Sequence, residues 1–264
     1  MVKARRLKRR REEERKRKDR DLIKTVEEVF DSFTLSHVFR LEKKGIIWEL
    51  KGVVSSGKEA RVYWGKDKRG NDIAVKIYLS ATAEFRKSIK KYIIGDPRFE
   101  NIPGGNFRKL IYEWTRKEYR NLKKMKKSGV RVPEPYSFSG NVLVMEFLGE
   151  SGYRAPLVVE VIEELSIKDI QEYFDDIIEN YKRMVCEAGL IHADLSEYNI
   201  MIWQDKPWII DVSQAVALGH PNAQEFLKRD IVNLFRFFGK FIDITYSEKD
   251  LLEELSKCLM EKER

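Results

Sequence analysis

Two cysteines, Cys186 and Cys258, are too few for a disulfide framework and sit in no zinc-ligand spacing. Cys186 falls in a helical pattern, where a buried structural thiol is expected, and neither cysteine is assigned a function. No apolar run approaches the roughly 18 residues that a membrane span needs. The N-terminus also lacks the apolar segment of a signal peptide. A cytoplasmic protein with no membrane partner is the expectation. No internal repeat appears, which leaves out solenoids and propellers. The 264 residues, 42% of them hydrophobic, are enough to bury one sizeable core or two small lobes.

Acidic side chains are scarce at the beginning of the chain. Residues 1–20 hold twelve Lys/Arg against four Asp/Glu, a net +8 that equals the formal charge of the whole chain, so the remainder is neutral. Such a block is a solvated, flexible arm, or one that binds polyanion phosphates by releasing counterions. Nucleic acid or ribonucleoprotein is the partner class it would suit. The signs separate again further on: residues 86–131 carry fifteen basic and four acidic side chains, residues 160–180 eight acidic and one basic. Two solvated helix faces and a polarised binding surface both fit that pattern.

Along the chain, Leu22, Val26, Val29 and Phe30 recur at helical spacing, and Leu35, Val38, Phe39 and Leu41 predict a second short helix ending near Gly45. Strands are predicted over 46–54, 60–66 and 73–78, with Arg69-Gly70-Asn71 turning between the last two. Residues 81–110 mix charges with Gly95, Pro97, Pro103, Gly104 and Gly105, predicting a helix and then a mobile loop, and a charged helix resumes over 113–127. A hairpin of 136–138 and 142–147 brings the sheet to about five strands. Beyond Leu148 the pattern is mostly helical, with one apolar stripe through Ile170, Tyr173, Phe174, Ile177, Ile178, Tyr181, Met184 and Val185. Short strands over 200–203 and 208–210 flank a Gln204–Pro207 turn. The architecture is a β-rich lobe joined near Glu146–Gly149 to a helical lobe.

The stretch Gly52–Lys58 satisfies the first seven positions of the P-loop pattern, but Glu59 stands where a hydroxyl would hold magnesium. A P-loop must also run from strand into helix, whereas Ala60–Trp64 has the alternation of a strand. Glu59 would repel phosphate unless it is turned outward or bridged by metal. The alternative is the hairpin cradle of protein kinases, with Ser55, Gly57 and Ala60 at its three glycine positions, Val62 at its final valine, and Ala74-Val75-Lys76 one hairpin later. Small residues still allow the backbone to approach a phosphate closely.

Downstream, Ile191-His-Ala-Asp-Leu-Ser-Glu-Tyr-Asn199 matches H-x-D-L-x-x-x-N, and one hairpin later Ile209-Ile-Asp211 ends in a second carboxylate. Phosphoryl transfer needs one carboxylate to take or orient the nucleophile's proton, and oxygen ligands for the metal that neutralises the β and γ phosphates. Asn199 and Asp211, at opposite ends of a tight hairpin, can meet at such a metal, which leaves Asp194 as the base.

These residues, with Ser55–Ala60, Ala74–Tyr78, Trp114–Leu122, Ile210–Gln214 and His220–Phe226, give the chain its resemblance over about residues 50–245 to the RIO family of atypical protein kinases, and to its Rio1 branch most closely. The resemblance implies an α+β, two-lobed protein-kinase-like fold. It would comprise a basic arm over 1–20, a helical extension over 21–45, a β-rich N-lobe over 46–148 with a flexible loop within 81–110, and a reduced helical C-lobe over 149–264. It further implies that Lys76 holds the α and β phosphates of ATP, with Glu118 as its ion-pair partner and Glu113 the weaker candidate. Val54, Ser55, Ser56, Gly57 and Lys58 would line the phosphate loop, while Glu146 and Phe147 would offer hinge backbone to adenine with Met145 behind them. Asp194 would be the base, Asn199 and Asp211 the ligands of Mg2+ or Mn2+, and Asp230 either a support beneath the catalytic loop or a structural helix residue.

The departures from ordinary protein kinases are specific. Val212-Ser213 follows the metal aspartate in place of Phe-Gly, Ser196 replaces the usual lysine, no A-P-E occurs downstream, and only 53 residues follow Asp211. Peptide recognition is thereby put in question, and ATP hydrolysis, through the phospho-aspartate that the family links to the position of Asp211, becomes a second reading. The resemblance implies a serine/threonine kinase or ATPase acting in small-ribosomal-subunit maturation, with a precursor particle reached through the basic arm and the protein itself as an autophosphorylation substrate. A nucleotide-gated assembly scaffold and a small-molecule phosphotransferase are the alternatives.

Overall fold

The computed structural model describes residues 31–79, 83–96, 98–100 and 106–261. The basic arm, the helix expected around Leu22–Phe30 and parts of the expected loop lie outside them. Helix α1, Ser32–Lys43, begins where the Asp31 carboxylate accepts the Thr34 N–H at 2.8 Å. It ends before Gly45, whose φ of 70° suits a residue without Cβ.

Five antiparallel strands follow in the order β1-β2-β3-β5-β4, with β1 Glu49–Ser56, β2 Ala60–Lys66, β3 Asp72–Tyr78, β4 Pro135–Ser139 and β5 Val142–Glu146. Their two faces do different things because side chains alternate along a strand. In β3, Ile73, Val75 and Ile77 join Leu41 of α1 in a small core, while Lys76 and Tyr78 point the other way. The segment Ser56–Ala60 is the turn of the β1–β2 hairpin, with Ser56 opposite Arg61. It therefore does not run from strand into helix.

Between β3 and β4 lie α2, Ala83–Ile93, and α3, Phe107–Lys127. Helix α3 starts at Phe107, earlier than the expected Glu113, because the Asn106 side chain caps the Lys109 N–H at 3.1 Å. Past the linker come a small hairpin of β6, Gly149–Glu150, and β7, Tyr153–Arg154, then α4, Val158–Val161, and α5, Ile167–Lys182. The Ser166 hydroxyl caps α5, which ends in a single π-type turn over Arg183–Glu187. The stripe expected over residues 170–185 is buried in the larger core except for the half-buried Tyr173, and that core runs from Tyr78 and Leu143 in the sheet through Trp114 to Phe174, Tyr181, Phe226 and Phe238.

Strand β8, Leu190–Ile191, pairs with β11, Val216–Ala217, and the hairpin of β9, Ile200–Trp203, and β10, Lys206–Ile209, lies between them. The hairpin turn is tighter than expected. Gln204 and Asp205 alone make it, both at positive φ, so Lys206 pairs with Trp203 and Pro207 belongs to the strand. Helices α6, Ala223–Phe238, and α7, Glu248–Glu261, complete the helical lobe.

The expectation for the cysteines is overturned. Cys186 and Cys258 form a disulfide that ties the turn after α5 to α7 across 72 residues of sequence. Helix packing brings their Cα atoms to 5.2 Å, and no spacing rule links two cysteines that far apart.

Candidate active site

A cleft of about 250 Å³ opens between the sheet and the helical lobe. Val54, Val62, Ala74, Leu122, Met145, Met201 and Ile210 make its apolar walls, and Lys76, Glu118, Asn199 and Asp211 give it polar groups. This combination of an apolar slot with a few converging polar groups is how small-molecule sites are built. The Lys76 Nζ donates to Glu118 Oε1 and to Asp211 Oδ1, each at 2.8 Å. Glu113 does not take part, since its carboxylate receives Arg116 at 3.0 Å. The second oxygen of Glu118 accepts the Tyr78 hydroxyl, and Asp211 Oδ1 also accepts the Ser213 hydroxyl at 2.8 Å.

One ammonium shared by two carboxylates separates their acidities. Burial opposes ionisation of Asp211, but the Lys76 charge and the hydrogen bonds from Lys76 and Ser213 hold its pKa down at about 2. Half of its side-chain surface, 49%, still faces the opening of the cleft. Glu118 is pushed up, first by burial, against the pull of Lys76, and then by the charge of Asp211. Burial works against the Lys76 ammonium, but Asp211 and Glu118 together raise its pKa well above the ordinary lysine value.

Asn199 enters the cleft from the start of β9, and its Nδ2 donates to the Asp194 carbonyl at 2.8 Å. That bond orients the amide so that its oxygen, the atom a hard cation takes, is the end left for the cleft. Asp194 is exposed and outside the lining of the cleft itself. Desolvation of its carboxyl raises the pKa, and the charges of Arg229 and Lys91 act in the opposite sense. The backbone around it is held from beneath by Asp230 of α6. The Asp230 carboxylate accepts the Ala193 and Leu195 N–H groups at 2.8 and 2.9 Å and the Tyr181 hydroxyl at 2.9 Å. Ala193 has a φ of 67°, a conformation that L-residues adopt only when their surroundings impose it. His192, kept neutral by a burial that lowers its pKa to about 4, bonds the Ile210 carbonyl at 3.0 Å and ties the two acidic segments together.

Of the residues expected to hold a nucleotide, Val54, Ser55, Lys76, Met145, Glu146 and Phe147 line the cleft, and Ser56, Gly57 and Lys58 form the exposed tip of the hairpin over it. Glu59 is half-buried and outside the lining of the cleft, yet near enough to Asp194 for its charge to act on that carboxyl. Its Oε1 accepts the Ser88 hydroxyl of α2 at 2.8 Å. Sequence reasoning missed Tyr78, Lys117, Asn121 and Ser213. Lys117 donates to the Ser213 carbonyl at 2.7 Å, and Asn121 to the Val212 and Ala215 carbonyls at 3.2 and 3.1 Å. Burial lowers the Lys117 pKa to about 7, Arg98 adding to the effect and Asp96 and Glu118 opposing it. A signal was present: polar residues at 117, 118 and 121 interrupt the apolar face that α3 makes with Trp114, Leu122 and Met125. Pro133 and Arg154 also line the cleft with no motif to announce them, as does Tyr198, an unspecified position of the motif that ends at Asn199.

Known proteins resemble this chain in sequence and in fold. The family model described as the RIO domain matches residues 61–251. The RIO-type serine/threonine-protein kinase Rio1 of Methanocaldococcus jannaschii is 40% identical over 245 residues, 92% of this chain and 81% of that protein. Its namesake in Haloferax volcanii is 41% identical over 223 residues, 84% of this chain and 74% of that one. The serine/threonine-protein kinase RIO1 of Caenorhabditis elegans is 40% identical over 254 residues, and the chain spans about half of it, 49%. The crystal structure of the Rio2 kinase from Chaetomium thermophilum superposes with a TM-score of 0.62 at 25% identity, covering 82% of this chain and 66% of that one. Its ADP/Mg2+-phosphoaspartate complex shares the fold with the same TM-score at 24% identity, covering 85% and 69%. With a domain match across most of its length and relatives this similar, the chain belongs to the RIO family of atypical protein kinases, on the RIO1-type branch.

Proposed function

We propose that the chain is an ATP- and magnesium-dependent serine/threonine kinase or ATPase of the RIO type. The observation that carries the reading is the Lys76 ammonium 2.8 Å from both Glu118 and Asp211 at the polar end of an apolar cleft. In this reading adenine lies against Val54, Val62 and Met145 with the backbone of Glu146 and Phe147 at its edge. Lys76, oriented by Glu118, meets the α and β phosphates, and the Ser55–Lys58 hairpin tip covers them. The donor set suits a hard divalent cation: Asp211 is ionised at neutral pH and open to the cleft, and Asn199 presents an amide oxygen. Among the described residues no cluster of three His, Cys, Asp or Glu side chains could hold a metal ion, so phosphate and water oxygens would complete the shell. When bound, magnesium supplies neutralisation of the β and γ phosphate charge.

The chain's own residues do the rest. Asp194 orients the acceptor hydroxyl or water and takes its proton, and Asp230 holds the Asp194 loop in place. Helix α6 begins at Ala223, so residues 212–222 are all that lie between Asp211 and that helix, too few for a segment that cradles a peptide. That favours hydrolysis as the main outcome. Its route would be attack of Asp211 Oδ on the γ-phosphorus, loss of ADP by cleavage of the β–γ bridge, and hydrolysis of the acyl phosphate. A Rio2 relative has been captured as a phosphoaspartate, which supports this route by analogy of fold. The setting we infer is small-ribosomal-subunit maturation in the cytoplasm, with the basic residues 1–20 as the arm for ribosomal RNA. The test is phosphate release and protein phosphorylation from labelled ATP, with and without small-subunit precursors. Wild type is expected to turn over, Asp194→Asn to lose at least about 100-fold, and Asp211→Asn to lose both turnover and any acid-stable, hydroxylamine-sensitive label. Equal phosphate release by wild type and Asp194→Asn would end the enzymatic reading.

A further inference from the structure

Besides Thr115, whose hydroxyl donates to the Ile111 carbonyl of its own helix at 2.9 Å, helix α3 buries three polar side chains, Lys117 at 0%, Glu118 at 1% and Asn121 at 2% exposure. Burying polar groups without partners is costly, so the partners show what these residues are for. Glu118 is answered by Lys76 and Tyr78. Lys117 and Asn121 reach instead across 91–96 residues of sequence to the carbonyls of Val212, Ser213 and Ala215, which directly follow Asp211. In this short segment the backbone acceptors are taken by helix side chains.

Asp211 needs that support. Its φ of 53° is left-handed for a residue with a Cβ, a conformation that persists only where surrounding contacts impose it. The contacts close a ring. Lys117 holds the Ser213 carbonyl, the Ser213 hydroxyl donates to Asp211 Oδ1, Lys76 donates to the same oxygen, and Lys76 returns to Glu118, the neighbour of Lys117. Each link is 2.7–2.8 Å long.

We propose that Lys117 and Asn121 are positioning residues that clamp residues 212–215 to helix α3, so that the Asp211 carboxylate and the Lys76–Glu118 pair are held in register as one unit. Helix α3 cannot swing away from the cleft without taking the donors from the buried Ser213 and Ala215 carbonyls and leaving that of Val212 with only the Ala215 N–H at 3.2 Å. The site is therefore built in its assembled arrangement, with no separate activation segment needed to draw Glu118 inward. The clamp rests on the reading of the cleft as an ATP site for its kinetic consequence, but not for its structural one.

Two readouts test it in the full chain. In Asn121→Ala and Lys117→Met, backbone amides of residues 212–216 are expected to exchange hydrogen at least about tenfold faster, as loss of a local restraint requires. kcat should fall by about 10- to 100-fold, the effect of leaving a buried carbonyl without its donor, while KM for ATP stays within about threefold. Ser213→Ala should lose a similar amount, and Lys117→Met with Ser213→Ala little more than either alone, because both break one ring. Additive losses in the double variant, or unchanged exchange at 212–216 in a folded Asn121→Ala protein, would overturn the clamp. If Lys117→Met does not fold, Asn121→Ala and Ser213→Ala decide the matter by the same readouts. Wild type without turnover would defeat the functional reading and leave hydrogen exchange to judge the clamp.

Discussion

Replacing Tyr78 by phenylalanine removes one oxygen from a fully buried site and leaves the ring to fill its space, so no cavity forms. What is lost is the donor to the second oxygen of Glu118, a carboxylate that is 1% exposed and has no water to turn to. A hydrogen bond to a charged group contributes about 1.5–3 kcal/mol, and an acceptor left buried and unanswered falls in the same range. At about 2–4 °C per kcal/mol for a chain of this size, the melting temperature should drop by about 3–12 °C at neutral pH. The effect also carries a sign with pH. Burial already raises the Glu118 pKa above the ordinary glutamate value of 4.5, and losing the tyrosine donor raises it further. A carboxyl with a raised folded pKa contributes stability below its unfolded value and loses it as pH rises through the folded one. The difference between Tyr78→Phe and wild type should therefore be largest above the folded pKa and shrink at acid pH, where Glu118 is protonated in both. Thermal unfolding by circular dichroism across that range is the assay. Equal melting temperatures at neutral pH, or a deficit that grows toward acid, would refute the argument that Glu118 is an ion held by two donors.

The disulfide makes a second prediction: closing a loop of 72 residues restricts the unfolded chain by about 4 kcal/mol at 25 °C. Reductant or Cys258→Ser should thus lower the melting temperature while leaving ATP turnover at moderate temperature unchanged, and a variant that melts with wild type would count against the bridge. A third concerns Asp194, whose pKa is raised by desolvation from the ordinary 3.8. As a base it must be ionised, so kcat should fall as pH drops through a value above 3.8, and Asp194→Asn should lack that limb; a limb at or below 3.8 would place the base elsewhere.

Much of this was legible in the chain. Strand alternation located the five-stranded sheet, the strand after Lys58 excluded a P-loop, and the spacing of Asp194, Asn199 and Asp211 placed three oxygen donors round one hairpin. The choice of Glu118 over Glu113 as the partner of Lys76 came from the family resemblance, and in the structure Glu118 lies 2.8 Å from the Lys76 ammonium while Glu113 receives Arg116. Local rules succeed here because periodicity and short spacings act within a few turns of one element.

The contacts that escaped are those between elements far apart in sequence. Nothing near Cys186 names Cys258, nothing in β3 says that Tyr78 will share Glu118 with Lys76, and nothing in α3 says that Lys117 and Asn121 will meet carbonyls past Asp211. Those pairings exist only once the core between Trp114 and Phe226 has packed, because packing fixes which buried polar groups face one another and each must then find a partner. The residues alone set the chemistry at the cleft; the packed structure decided what holds it in place.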